Sequence, residues 1–413
     1  MKHVVVIGGG VVGASCAYAL HKSGWRVTIV DKGEFGKGCS HANCGFVCPS
    51  HVLPLAEPGV VWMGIKSLFQ KNSPLKIRMR FDPALWGWMF RFARRCNETD
   101  MLESGRACQA LLESSRQLYD QWVVEAGLEC EWQTRGLLFA FQSAEEMEKY
   151  AHTDKIMAEH FSLPAVRYDS KALEKLEPAL KPGLAGAWHY EHDAHLRPDK
   201  LMTSWRRVLS TGGTTIRDNC EMQGFKKDGA KAVAMLTTQG EIAGDAFVVA
   251  AGALTPLLKT HLGCKIPIQP GKGYSITMPR PARCPAIPMI FPETRVAVTP
   301  MESGYRLGST MEFAGYNANI DRGRLQILRD GARPFLHEPY CEPVQEEWCG
   351  WRPMTYDGKP IIGPSPIMNN VTIAAGHNML GLSMATGTGK LVAELVNGDK
   401  PHIDPAPYSP MRF

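Results

Sequence analysis

The sequence predicts a mixed fold, α/β with α+β character, in which a parallel, helix-crossed unit is interleaved with a β-rich antiparallel one. Three observations predict it. The N-terminus alternates strand, glycine-rich turn, helix and strand. The stretch 266–312 is rich in proline and in strand-forming residues. An apolar strand near 371–374 and a helix near 387–396 then return to the opening pattern.

The elements follow in order. HVVVIG (3–8) is a short buried strand, GGGVVG (8–13) a tight turn, and ASCAYALHKSG (14–24) a helix stopped by Gly24. RVTIVD (26–31) is a second strand, parallel to the first if the helix is the crossover. A loop rich in Gly, Cys and Asn (33–50) leads to a basic, aromatic segment. Residues 102–127 and 144–160 carry charge on one side and Leu, Ala or Met on the other, as amphipathic helices do. RGLLFAF (135–141) is strand-like, and 199–212 is a helix for which Asp199, after Pro198, is the expected cap. Short strands fill 214–250.

Composition narrows the class. The 413 residues are enough for two domains, and 44% hydrophobic with 21% charged content is that of an ordinary globular protein. The longest apolar run, AFVVAAGAL (246–254), is far short of the ~20 residues a bilayer-spanning helix needs. With no secretory leader either, the expected location is the cytoplasm or the cytoplasmic face of the inner membrane. The 12 cysteines form no CxxC pair, so free thiols in a reduced compartment are expected, and no metal. Cys39, Cys44 and Cys48 lie close together, and His189, His192 and His195 are spaced i, i+3, i+6, but neither set has the pattern of a usual site.

Gly8-x-Gly10-x-x-Gly13 is weak as a bare string, but it follows a strand, opens a helix and precedes a strand ending in Asp31 and Lys32. Glycines there let a pyrophosphate approach the helix N-terminus, and Asp31 can accept from a ribose hydroxyl. A dinucleotide is therefore expected. Two further pieces bear on which one. GDAFVVAAGALTPLL (244–258) runs an apolar strand into Ala251-Gly252. GHNMLGLSMATGTGKLVAELV (376–396) feeds a glycine-rich turn into a helix, whose partially positive N-terminus would suit the pyrimidine edge of a reduced flavin.

Together with GWRPMTYDGKPIIG (350–363), KGYS (272–275) and the Ser40-x-x-Asn43-x-Gly45 loop, these pieces resemble the bacterial D-amino acid dehydrogenase family, within the D-amino acid oxidase and glycine oxidase superfamily. The resemblance covers nearly the whole chain. It implies a glutathione-reductase-like, Rossmann FAD-binding domain (1–58, 196–262 and 345–413) and an antiparallel-sheet substrate domain (59–195 and 263–344). It implies noncovalent FAD held by Gly8, Gly10, Gly13, Asp31, Lys32, Ser40, Asn43, Gly45, Ala251, Gly252, Gly381, Gly387 and Gly389, with Met222 aligned beside the adenine. Arg352 would clamp the substrate carboxylate and aim its Cα–H at flavin N5, with Tyr274 and His377 as partners for the carboxylate or amine.

The implied reaction is oxidation of a D-amino acid, one of the D-proline or D-hydroxyproline type being a candidate, with electrons passed to a quinone or another acceptor. The rivals are a glycine, sarcosine or D-amino acid oxidase releasing hydrogen peroxide, and a flavin-containing electron-relay subunit. His51 stands where close relatives often show tyrosine, which leaves the preferred side chain open.

Charge is uneven. Eight of the 46 basic residues but one of the 41 acidic ones lie between Gly59 and Cys96, interleaved with Trp62, Phe69, Trp86, Trp88, Phe90 and Phe92, so the rest of the chain is close to neutral. The segment 59–95 reads either as a packed helical pair with a solvated face or as a peripheral contact with an anionic membrane. No motif supports nucleic-acid binding.

Overall fold

The computed structural model describes residues 1–68, 75–78 and 81–413. Its first sheet has six strands. In spatial order they are Ile361–Pro364, Val371–Ala375, Ala246–Val249, His3–Ile7, Arg26–Val30 and Thr215–Arg217. All neighbours are parallel except the edge pair Ile361–Pro364 with Val371–Ala375. His3–Ile7 and Ala246–Val249 are fully buried, as the apolar runs require of a parallel sheet covered on both faces. The helix Val11–Lys22 makes the first crossover; Gly24, at φ +85°, follows its end. The C-terminal helix Ala385–Asn397 packs against it, and the long helix Glu98–Glu125 packs on the other side of Ala385–Asn397.

The second sheet is large and mostly antiparallel. Its order is Glu346–Thr355, Ile268–Met278, Gly304–Phe313, Val296–Met301, Met289–Phe291, Leu137–Phe141, Gly186–Tyr190 and Val166–Asp169. Two pairings are parallel: Met289–Phe291 with Leu137–Phe141, and Leu75–Ile77 with Gly304–Phe313. Its own core, around Ile276, Phe291, Leu307 and Phe335, is separate from the core beneath the parallel sheet. The strand Glu346–Thr355 pairs along its length with Ile268–Met278 and so belongs to this sheet, whereas the resemblance places 345–413 with the FAD-binding part.

One local expectation is corrected. The helix at 199–212 begins at Pro198, Arg197 occupies the cap position, and Asp199 makes no capping bond. Asp199 lies in the first turn and pairs with Arg197 at 3.1 Å, because proline fits the first helical position and moves the start back. The basic segment forms helices Val60–Leu68 and Pro83–Arg95, the second capped by Asp82, which accepts from Leu85 N–H at 3.0 Å. Phe69, Lys71 and Arg80 lie outside the described residues.

Candidate functional site

A cavity of about 1400 Å³ is lined by residues of both sheets. At one end the glycine-rich turn closes on its neighbours. Gly8 has φ +108°, and a Cβ there would sit 2.4 Å from Ala250 O. A Cβ on Gly13 would sit 1.9 Å from Gly8 O, so Gly13 brings the helix onto the strand and does not itself line the cavity. Gly10 precedes the helix at the cavity wall, and Ser40 Oγ accepts the Val11 N–H at 2.9 Å.

Asp31, Lys32 and Met222 line the same end. The Asp31 carboxylate is already tied to the turn, accepting from Gly9 N–H at 2.7 Å and Gly33 N–H at 2.8 Å. It therefore shapes the turn as well as facing the cavity.

The loop 40–45 is braced from within, Asn43 accepting from Gly45 N–H at 2.8 Å and donating to Ser40 O at 3.2 Å. It is also gripped from outside. Ser275 Oγ donates to Ala42 O at 2.7 Å, Arg306 Nη1 to Asn43 O at 2.8 Å and Thr299 Oγ1 to Cys44 O at 2.6 Å. Three neighbouring strands thus hold three consecutive carbonyls. The sequence carried a signal for Ser275, in KGYS, but none for Thr299 or Arg306.

Ala251, Gly252 and Gly381 line the cavity, whereas Gly387 and Gly389 do not. Both lie in the first turns of Ala385–Asn397, where a Cβ would meet Leu111 O at 2.9 Å and Ser15 O at 2.5 Å respectively. They are small so that two helices can approach, which a glycine-rich string does not distinguish from a ligand-facing turn.

Arg352, which also lines the cavity, lies on Glu346–Thr355 with Gly271 opposite. Its guanidinium packs over Gly273, where a Cβ would sit 2.5 Å from Cζ. The strand Gly304–Phe313 bulges beside it: Lys272 pairs with Glu312 but Tyr274 with Ser309, and Ser309 and Thr310 have φ +117° and +56°. The bulge presents Thr310 O to Arg352 Nη1 at 2.7 Å. Among the described residues no carboxylate lies within ion-pair distance of Arg352. Burial holds its pKa below the usual guanidinium range.

Tyr274 and His377 also line the cavity, but each has a polar atom already engaged. The Tyr274 hydroxyl donates to buried Glu312 at 2.6 Å, and Glu312 also takes Arg78 Nε at 2.7 Å. Burial, first, and then the Glu312 carboxylate push the phenol upward. His377 Nε2 lies 3.0 Å from Thr388 Oγ1, and burial lowers the ring to about 3, so it is neutral.

The histidine series does not converge. His189 Nε2 is 3.0 Å from Arg135 O, His195 Nε2 is 2.9 Å from Pro300 O, and His192 is exposed. The folded chain instead brings Cys48, His51 and Asp193 within 4.8 Å of one another, a grouping drawn from distant segments.

The profile of the FAD-dependent oxidoreductase family DAO matches residues 3–395. The chain belongs to this family. A D-amino acid dehydrogenase of Paramagnetospirillum magneticum is 33% identical over 96% of this chain and 95% of its own. One of Azorhizobium caulinodans is 30% identical over 97% of each. Among solved structures, glycine oxidase of Geobacillus kaustophilus superposes with a TM-score of 0.80 at 21% identity, covering 100% of both chains. L-proline dehydrogenase of P. horikoshii gives 0.74 at 21%, covering 100% and 97%. The fold is therefore that of an FAD-binding Rossmann unit joined to a substrate unit, and the protein is an FAD-dependent oxidoreductase. The residues present fit FAD: a Cβ-free turn at a helix N-terminus opens onto a cavity that Asp31, Lys32 and Met222 also line.

Proposed function

We propose that the protein dehydrogenates the Cα–N bond of a D-amino acid. The observation that carries the reading is Arg352, a cation at the cavity wall with no carboxylate within ion-pair distance among the described residues. A buried charge needs a partner, and a substrate carboxylate supplies one in bidentate geometry. The Thr310 carbonyl fixes one edge of the guanidinium, so a carboxylate meets a pre-set fork. Tyr274, held by Glu312, and neutral His377 complete the polar lining and add no charge that would compete for the carboxylate. FAD, when bound, supplies the acceptor for the hydride from Cα. The parallel-sheet unit holds the nucleotide, and the large sheet carries the substrate clamp.

We infer noncovalent FAD, because burial raises the pKa of the Cys349 thiol and disfavours the thiolate that a covalent link needs. The electron acceptor we infer is a quinone rather than oxygen, reached at a membrane surface. No described helix is long and apolar enough to cross a bilayer. What supports peripheral contact is the exposure of Trp62 (61%), Phe81 (98%) and Phe90 (65%) beside exposed Lys66, Arg91 and Arg94.

Arg352→Ala tests the reading. Losing one partner of a buried charged pair costs about 2–5 kcal/mol, so kcat/KM for the amino acid should fall roughly 30- to several-thousand-fold while FAD absorbance is unchanged. An unaltered KM removes Arg352 from the site. Fast reoxidation of the reduced enzyme by oxygen would favour an oxidase instead.

A further inference from the structure

Behind the cavity wall at 48–51 lies an acid that this chemistry does not use. Asp193 is fully buried. Ser50 donates to it twice, N–H to Oδ1 at 3.1 Å and O–H to Oδ2 at 2.5 Å, and the Cys48 thiol donates as well. The Ser50 hydroxyl oxygen is 3.4 Å from His51 Nδ1. Cys48, Ser50 and His51 line the cavity, whereas Asp193 does not. A hydrogen-bonded line therefore runs from the cavity through His51 and Ser50 to a buried carboxyl. Its loop is pinned next to the Gly381 turn, since Ser383 Oγ accepts from Cys48 N–H at 3.2 Å and donates to Phe46 O at 3.0 Å.

The carboxyl is an expensive choice for a purely structural tie. Among the described residues no lysine or arginine lies within ion-pair distance of Asp193. An asparagine could accept the Ser50 N–H and donate to the Ser50 hydroxyl without the cost of a buried charge. The groups facing it are Cys48, Ser50, His51, the Tyr150 and Tyr190 phenols, and Arg116 at longer range. Burial dominates and lifts Asp193 to about 7, so the group exchanges a proton near neutrality. Burial lowers His51 to about 4, so its ring is neutral and carries one N–H.

We propose that His51, Ser50 and Asp193 form a proton relay that takes up the ammonium proton of the amino-acid substrate, a role that rests on the dehydrogenase reading above. An amino acid arrives as the ammonium form, and hydride leaves Cα readily only when the nitrogen lone pair is free. One substrate N–H bond breaks, its electron pair stays on nitrogen, and the proton bonds to His51 Nε2. His51 passes its Nδ1 proton to Ser50 Oγ, and Ser50 passes its own proton to Asp193 Oδ2. Three transfers move one proton in net from substrate to Asp193, and no electron moves. His51 is the member that meets the substrate; Ser50 and Asp193 act through it.

Two measurements test the relay. Infrared spectroscopy between pH 5 and 9 should show a protonated-carboxyl stretch that titrates near neutrality and is missing in Asp193→Asn. An anaerobic rate of flavin reduction by a D-amino acid should fall about tenfold per pH unit below the Asp193 midpoint in the native protein. In Asp193→Asn that limb should vanish and the rate at pH 8 should be lower by about 10²-fold, the smaller end of general-base effects. Ser50→Ala should show the same loss, and Ser50→Thr, which keeps the hydroxyl, should restore it. The relay is overturned by a carboxyl band that does not titrate, by an unchanged pH profile in Asp193→Asn, or by Ser50→Ala and Ser50→Thr behaving alike. If the native flavin is reduced by no amino acid, the dehydrogenase reading falls and the relay with it, whatever the infrared band shows.

Discussion

Replacing Gly273 with alanine tests how closely Arg352 is seated. The new Cβ would lie 2.5 Å from Arg352 Cζ and 2.5 and 2.6 Å from its two terminal nitrogens. Carbon atoms in contact sit ~3.5–4.0 Å apart, so the guanidinium must retreat by roughly 1 Å or the paired strands must part. The retreat strains the 2.7 Å bond to Thr310 O and moves the fork away from the carboxylate. A misplacement of about 1 Å costs on the order of 10²-fold, or about 2.8 kcal/mol at 1.4 kcal/mol per decade. Steady-state turnover with a dye acceptor, run beside the flavin absorbance of the same sample, should show kcat/KM down by about that factor with FAD still bound. Adding Gly273→Ala to Arg352→Ala should then cost almost nothing more, because the clash has lost its partner. Fully additive effects, or an unchanged kcat/KM in the single variant, would refute the seating of Arg352 over Gly273.

Gly13→Ala places a Cβ 1.9 Å from Gly8 O, and should strip FAD from the purified protein; retention of a full complement of FAD contradicts the packing role. Burial lowers His51 to about 4, His195 to about 4 and His377 to about 3, while Asp193 is raised to about 7. Between about pH 4 and 6.5 the unfolded chain binds three more protons at the histidines, and the folded protein binds one more at Asp193. These four groups should therefore lower stability as pH falls, by up to about 3 kcal/mol per pH unit. Chemical unfolding at pH 5 and 6.5 checks the sign, and greater stability at pH 5 would contradict it. Trp62→Ser with Phe90→Ser should weaken cosedimentation with anionic vesicles and leave turnover with a soluble dye intact; unchanged cosedimentation would point to packing as the use of that face.

Much of the fold was legible because its signals are local. The turn at Gly8–Gly13, the strands beside it and the amphipathic helices each declare themselves within a dozen residues. The GWRPMT stretch pointed to a carboxylate clamp only through resemblance. What sequence could not show is that, among the described residues, Arg352 would find no carboxylate of its own, which depends on every strand around it. The grip on loop 40–45 was hidden for the same reason, since Ser275, Thr299 and Arg306 reach it across 233, 255 and 263 residues of chain. The pairing of Ser50 with Asp193 spans 143 residues, so neither looked unusual alone. Gly387 and Gly389 misled because close helix packing and a ligand-facing turn ask for the same small residue.

The most direct test of the account is anaerobic mixing of the purified flavoprotein with a panel of D- and L-amino acids, followed by the visible absorbance of the flavin. Bleaching by one or more D-amino acids is expected, and none by the amide of the best of them, which lacks the carboxylate for Arg352. Bleaching by L-amino acids alone, equal bleaching by the amide, or no bleaching by any member would contradict it.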